Sequence, residues 1–432
     1  MTRVPPTGKT REALRALFEE GTAGQDPKGE LMRLAMRLIV EEALEAKTRD
    51  LLGRGYYERR GEAGEGYRNG HREAGVKTAE GEVRYAVPQV RDLDARELAE
   101  LRRGLKGRTD ALEKLAMEMY ARGCSTRDIE AIFRDEDGRS LLSRTAVSEV
   151  TEALWAEYEE FATRDLSEIQ PLYLFLDGLA ERLRPGAKRE AVLCAWAITW
   201  RGTKVLIALS PGTKESTECC KDFVADLKRR GLSDPLTTTT DGAPGLVRTV
   251  DESYPASLRQ RCLAHKMRNV MAKVPDEVAA EFRQAARAAY EAPSPAMARA
   301  LREDLVARFS SLYPSAVQCF EEDFEACIAH LQLPPNHRRA VRTTNLLERL
   351  FVEERRRMRA VLHSFGERPV LKLMYAALVR GAERWRGMAI TSFERRQLER
   401  LQEELKERHR AENAPVTKPG SAPNRIYSKD RT

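Results

Sequence analysis

The sequence predicts an α/β protein: a mixed five-stranded sheet with helices, interrupted by an all-helical insertion and preceded by a helical and β-hairpin N-terminal region. Three observations lead there. Apolar and β-branched runs gather between Leu172 and Lys273 and alternate with helical patterns. From Pro275 to Leu333 the composition turns to Ala, Arg and Glu with no strand candidate. Between Thr109 and Phe161 three short helical patterns follow one another.

Taken in order, Leu31–Leu52 carries leucine and valine at helical spacing and stops at Gly53 and Gly55. From Tyr67 to Asp92, Val83, Tyr85 and Val87 alternate with polar residues, and Glu80-Gly81 supplies a turn, which is a β-hairpin pattern. Leu112, Leu115 and Met119 mark the next helix, ending at Gly123. Ser125 with Asp128 makes an approximate capping box for a second, and Ser143 can cap a third whose early residues Arg144, Thr145 and Ser148 are exposed. Two readings stand for this segment. It is either a helix-turn-helix-like segment whose last helix reads bases in the major groove, or an ordinary helical linker.

PLYLFLDGL, EAVLCAWAITW and TKVLIALSPG read as three strands, the last two joined at Arg201-Gly202. A helix over about 215–230, the strand DPLTTTTDG, a short helix, a brief strand over Ser257–Cys262 and a helix through Met271 complete an α/β sheet with a leading antiparallel meander. Pro334-Pro335 ends the helical block. Thr343 or Thr344 can cap a long helix from Asn345 to about Leu362, and further helices run over Pro369–Trp385 and Phe393–Arg410. The last twenty or so residues, with Pro415, Pro419 and Pro423, read as a disordered tail.

At 432 residues the chain has room for about three domains. With 42% hydrophobic residues it can bury a core, and 33% charged against 6% aromatic favours helix. The longest apolar run, Val192–Trp200, is far short of the roughly 20 residues of a membrane helix. No apolar stretch near the start resembles a signal peptide. Seven scattered cysteines without a CxxC pair argue against a disulfide framework, so a cytoplasmic setting is expected. TGKT at 7–10 lacks the first glycine and preceding strand of a phosphate loop, which leaves no nucleotide cofactor site.

Two acids stand where strands end, Asp177 in FLDG and Asp241 in TTDG. Parallel strands put such ends on one sheet edge, where α/β sites collect. A carboxylate after a buried strand is offset either by a turn hydrogen bond or by a divalent metal. A third acid, Glu348, lies in RTTNLLERLFVEERRRMR beside Leu346, Leu347 and Leu350, which suit packing on a sheet. Cys262 and His265 make a Cys-x2-His pair; four ligands are usual for structural zinc and no second pair is near, so core packing for Cys262 and carboxylate or phosphate contact by His265 are the alternatives.

The order of acids, on the first strand, after the fourth and on a helix after the fifth, resembles the ribonuclease H-like fold of DDE polynucleotidyl transferases. The wording is more specific. YRNGHR and a hairpin ending VPQVRD, then MYARGCSTRDIE, FLDGLAERLR, TTDGAPG, RQRCLAHKMRNV and RTTNLLERLFVEERRRMR, in that order, resemble the Mutator-type (MULE-like) DDE transposases of bacterial insertion sequences, over about residues 30–410. The family more often has PRxRxG where this chain has PQVRD.

The resemblance implies that Asp177, Asp241 and Glu348 are a catalytic triad holding two Mg²⁺ or Mn²⁺ ions. Two such ions stabilise the attacking and leaving oxygens of a phosphoryl displacement. It implies double-stranded DNA as partner, both the terminal inverted repeats and the target, with 3′-end cleavage and strand transfer by a homodimer or higher oligomer. No membrane is involved, and the expected location is cytoplasmic, on the bacterial nucleoid when bound to DNA. Arg259, Arg261, Lys266, Arg268, Arg342, Arg349, Arg355, Arg356 and Arg357 are the expected phosphate contacts.

The expected divisions are 1–105 (helix and hairpin), 106–165 (helix-turn-helix-like), 166–275 (ribonuclease H-like core, first part), 276–335 (helical insertion), 336–388 (core, second part, with the Glu helix) and 389–432 (C-terminal helix and tail). Two other functions remain compatible with the residues. One is a non-catalytic DNA-binding regulator derived from a transposase; the other is a ribonuclease H-like nuclease.

Overall fold

The computed structural model describes residues 4–20, 26–58, 66–92, 96–135, 137–181, 190–211, 217–345, 351–352, 355–356, 367–383 and 385–413. They form two compact units. The first holds the described residues up to Tyr158 with Arg355, Arg356 and 368–377; the second holds Glu159 to Val352 with Glu367 and the chain from Leu378 onward. Most of the helix expected over Asn345–Leu362, and the C-terminal tail from 414, lie outside the described residues.

The first unit opens with α1 (Pro6–Glu20), a charged helix whose larger apolar residues are Leu14, Leu17 and Phe18 and which contains the TGKT stretch. It packs on α2 (Pro27–Leu52), where Thr10 Oγ1 donates to the buried Glu41 carboxylate at 2.7 Å. The expected hairpin is β1 (Tyr67–Thr78) and β2 (Gly81–Arg91), antiparallel, with Thr78 paired to Gly81 across the turn. After α3 (Arg96–Gly104), β3 (Gly107–Arg108) adds a parallel edge to β1. Leu44, Val83, Tyr85 and Leu98 form the core beneath this sheet.

Next come α4 (Asp110–Ala121), α5 (Thr126–Ile132) and α6 (Arg144–Thr151). Ser125 and Asp128 form a complete capping box, and Ser143 caps α6 through the Ala146 amide. Leu112, Ala116, Ile129, Leu142 and Val147 pack together with Leu373 and Ala376 of the helix Glu367–Ala382. Residues 368–377 therefore belong with the first unit, although 336–388 is expected as one piece of the catalytic core. The reason is local chemistry: besides those apolar contacts, buried Lys372 donates to Glu152 Oε1 at 3.0 Å and to Thr151 Oγ1 at 3.3 Å. Helix α7 (Ala153–Thr163) follows.

The second unit is built on β4 (Pro171–Glu181), β5 (Glu190–Thr199), β6 (Lys204–Pro211), β7 (Thr237–Thr240) and β8 (Leu258–Arg261), in the spatial order β6-β5-β4-β7-β8. β4, β5 and β6 form the antiparallel meander, and β7 and β8 run parallel to β4. Between them lie α8 (Thr217–Arg229), α9 (Pro244–Ser253) and α10 (Leu263–Met271).

Strand alternation sorts the two faces. Leu174, Leu176, Leu193 and Ala195 pack against Phe223, Val224, Leu246 and Val250 of α8 and α9. On the other face Phe175 stacks on Trp196 with centroids 3.9 Å apart, and Tyr173 Oη bonds His337 Nδ1 at 2.6 Å. Burial of both faces explains why these strands read as continuous apolar runs.

The segment after α10 is all helical, as its composition requires: α11 (Ala279–Tyr290), α12 (Pro295–Phe309), α13 (Pro314–Glu321) and α14 (Phe324–Ile328) surround Phe282, Tyr290, Phe309, Phe320 and Phe324. α15 (Pro335–Val341) then returns to the sheet, where Thr239 Oγ1 donates to Val341 O at 2.9 Å. Among the described residues no helix is long and apolar enough to cross a membrane.

Candidate active site

The site starts from hydrogen-bond register. Leu176 on β4 pairs with Thr240 on β7, and Thr240 pairs with Arg261 on β8. The three residues that follow this rung are Asp177, Asp241 and Cys262, side by side where the parallel pairing stops; β4 itself runs on to Glu181 against β5, so Asp177, expected at a strand end, lies within the strand and pairs with Cys194. The Cys262 amide extends the ladder by donating to Thr240 O at 2.8 Å.

Asp177 is only 3% exposed, and its Oδ1 accepts from the Gly178 amide at 3.0 Å. Burial, reinforced by the Asp241 carboxylate, pushes it up to about 7, against the opposing pull of His265, a hydrogen bond from Thr344 and the Gly178 amide. Asp241 Oδ1 accepts from the Ala243 amide at 2.9 Å. A backbone amide thus serves one oxygen of each acid, from the next residue within β4 for Asp177 and from the turn after β7 for Asp241. Gly242, between Asp241 and α9, has φ +88, and a Cβ there would lie 1.7 Å from Arg261 Cζ. Arg261 Nη1 donates to Gly242 O at 3.0 Å, so the guanidinium lies over the turn that presents Asp241.

Cys262 closes the far side. Its sulfur accepts from the Thr344 amide at 3.4 Å and Thr344 Oγ1 at 3.5 Å. Burial pushes the thiol up, but hydrogen bonds with His265 and Thr344 outweigh it and leave the group below its ordinary value. The Leu263 amide donates to Arg342 O at 2.9 Å. Residues 341–344 are therefore tied to the same sheet edge as the two acids, at Thr239, Leu263 and Cys262. Sequence reading offered Thr344 only as a helix cap; its bonds to Cys262 and Asp177 span 82 and 167 positions and leave no local signal.

Glu348, Arg349 and Arg357 lie outside the described residues. Among the described residues, no three His, Cys, Asp or Glu gather as a metal-binding group. The donors present nevertheless suit a hard divalent cation. Two adjacent carboxylates, one driven toward its neutral form by burial and by the other, are what an oxygen-preferring cation relieves.

The expected phosphate contacts divide. Arg259 makes a two-pronged pair with Asp323 at 2.6 and 2.7 Å and also bonds Asp251. Lys266 is 1% exposed and donates to the Glu322 carbonyl. These two cations tie the helical insertion to β8 and α10, with donors engaged by acids and carbonyls inside the fold. Arg342 pairs with Glu291 at 2.9 Å and remains partly exposed. Arg268, Arg355 and Arg356 are exposed. In the first unit Arg144, Thr145 and Ser148 are all exposed on α6, with Arg144 bonded to Glu130 at 2.8 Å.

A mixed five-stranded sheet with two adjacent carboxylates where its parallel pairing ends, followed by a helical segment, defines an α/β protein. The chain belongs to the Mutator family of transposases, whose family profile matches residues 9–387. It is 31% identical over 357 residues to the transposase for insertion sequence element ISRM5 of Rhizobium meliloti (strain 1021), covering 82% of this chain and 88% of that protein. It is 27% identical over 391 residues to the transposase for insertion sequence element IS256 in transposon Tn4001 of Staphylococcus aureus, covering 89% and 97%. The transposase for IS6120 of Mycolicibacterium smegmatis is 29% identical over 271 residues, 62% of this chain and 84% of that one.

Proposed function

We propose that this transposase is of the DDE type, with a ribonuclease H-like core whose Asp177, Asp241 and Glu348 carry metal-dependent DNA 3′-end cleavage and strand transfer. The observation that carries the reading is the rung that aligns Asp177 with Asp241 on neighbouring parallel strands. The ties at Val341, Arg342 and Thr344 support it, because Glu348 is only four residues beyond Thr344 in the chain. The strand order, with an antiparallel meander and two parallel additions, agrees with the same core.

Two Mg²⁺ or Mn²⁺ ions, when bound, supply a polarising charge for the scissile phosphate and the attacking oxygen. Asp177 and Asp241 would hold these ions, and the burial of Asp177 would keep water from competing for them. Thr344 orients the Asp177 carboxylate. Arg261 fixes the Gly242 turn and hence the aim of Asp241. Arg268, Arg342, Arg355 and Arg356, with Arg349 and Arg357, contribute phosphate attraction without base preference. The exposed side of α6, with Arg144, Thr145 and Ser148, is the base-reading element of a helix-turn-helix-like segment that recognises terminal inverted repeats.

The test is cleavage of a labelled element end. Protein with Mg²⁺ or Mn²⁺ is expected to release a 3′-hydroxyl and join it to a second duplex. Asp177→Asn, Asp241→Asn and Glu348→Gln each abolish this and leave end binding intact. Full activity in EDTA, or in the triple variant, overturns the reading.

A further inference from the structure

α2 is 26 residues long, yet only one side of it is used. Gly29, Val40, Glu41, Leu44, Glu45 and Thr48 turn toward α1 and the hairpin. The opposite side carries Met32, Ala35, Ile39, Ala43 and Ala46 at steps of three and four, one continuous helical stripe. Met32 is 55% and Ile39 69% exposed. Lys28 stands at one end of the stripe and Asp50 at the other, both exposed and neither in an ion pair among the described residues. Of the charges flanking it, Glu42 pairs with Arg11 at 2.6 Å and Lys47 pairs with Glu97, while Arg49 is exposed beside Asp50.

This stripe is self-complementary about Ile39. Turned end for end on a two-fold axis through Ile39, a second α2 sets Lys28 against Asp50, Met32 against Ala46 and Ala35 against Ala43. Ile39 meets Ile39 on the axis, small residues meet at the next step and Met32 faces Ala46 beyond, which lets the helices approach, and opposite charges meet at both ends over about 33 Å of helix. A parallel pairing would instead bring Lys28 to Lys28 and Asp50 to Asp50. The occupant that this chemistry fits is therefore a second copy of this chain.

We propose that α2 is a self-association face, through which two copies of the chain pair antiparallel in the absence of DNA. One helix pair is a small interface, below the roughly 1,000 Å² of a permanent one, so the dimer exchanges with monomer. The face lies wholly in the first unit, and its function does not depend on the assignment of the catalytic acids.

The experiment is sedimentation equilibrium of the full chain without DNA, from below micromolar to tens of micromolar. A monomer–dimer equilibrium is expected. Ile39→Glu puts like charges on the two-fold axis and weakens the dimer by about ten-fold or more. Lys28→Glu and Asp50→Lys each weaken it, and the double variant Lys28→Glu/Asp50→Lys restores it. All three positions are exposed, and unchanged melting temperatures establish that each of the four variants is folded. A chain that stays monomeric throughout overturns the proposal, as does a dimer indifferent to Ile39→Glu. A dimer that responds to Ile39→Glu but is not restored by the charge swap overturns the antiparallel register.

Discussion

Asp177 and Asp241 follow the two members of one hydrogen-bonded pair, Leu176 and Thr240, on adjacent parallel strands. Two carboxylates are thereby held beside one another in a site that is nearly closed on the Asp177 side. Holding them there without a cation costs stability, since neither ion is fully hydrated and each repels the other.

Asp177→Asn should therefore uncouple stability from activity. It removes a buried charge while keeping the shape and the Gly178 contact, so the metal-free protein gains about 1–2 kcal/mol at neutral pH as strand cleavage is lost. Thermal melts in EDTA measure the gain. A lower melting temperature for Asp177→Asn counts against a destabilising charge pair.

Gly242→Ala tests the turn. Its φ of +88 is costly for any residue with a Cβ, and the new methyl meets Arg261. A loss of about 1–2 kcal/mol is expected, together with reduced cleavage because the turn aims Asp241. Gly242→Ala/Arg261→Ala relieves the clash but not the backbone strain. It should recover only part of the stability in chemical denaturation.

Cys262 is expected to act as an acceptor and not as a metal ligand. Cys262→Ser keeps an acceptor for the Thr344 amide and hydroxyl; Cys262→Ala removes it. Cleavage should fall by about ten-fold in Cys262→Ala, with end binding unchanged, and recover partly in Cys262→Ser. Equal activity of the alanine variant and the parent would show that this bond positions nothing of consequence.

Acid sensitivity should trace to His330. Burial, helped by the nearby Arg342 charge, lowers its imidazole to about 4, and its backbone amide and Nδ1 both contact Gln260 Oε1. The unfolded chain takes up a proton near 6.5, the folded one only near 4. The stability held above 6.5 is thus lost as pH falls through that window, by about 3 kcal/mol in all. His330→Gln should flatten the dependence of denaturation midpoint on pH between 4 and 6.5.

Much of the fold was legible because its signals are local. Alternation in Val83–Val87 marked the hairpin, Ser125 with Asp128 marked a helix start, and four apolar or β-branched runs with the brief stretch Ser257–Cys262 marked the sheet. α1 was missed because its charged sequence has only a few apolar residues and its burial depends on α2. The engagement of Arg259 with Asp323 was equally invisible: 64 positions separate them, and the pair exists only once the helical insertion has folded back onto β8.

The sequence by itself determined that Asp177 and Asp241 follow buried runs and that Asp241 ends its strand, since apolar and β-branched runs and the turn chemistry of Asp-Gly are readable residue by residue; that β4 continues past Asp177 to Glu181 was decided by its pairing with β5. Only the tertiary structure decided that Leu176, Thr240 and Arg261 share a rung, and so that Cys262 lines up with the two acids and Thr344 bonds both Cys262 and Asp177. Register between strands is set by which faces find a common core, and that information is distributed over α8, α9 and the whole sheet. The same holds for Lys372, whose helix carries an ordinary amphipathic pattern but packs with Glu152 and Leu112 in the first unit.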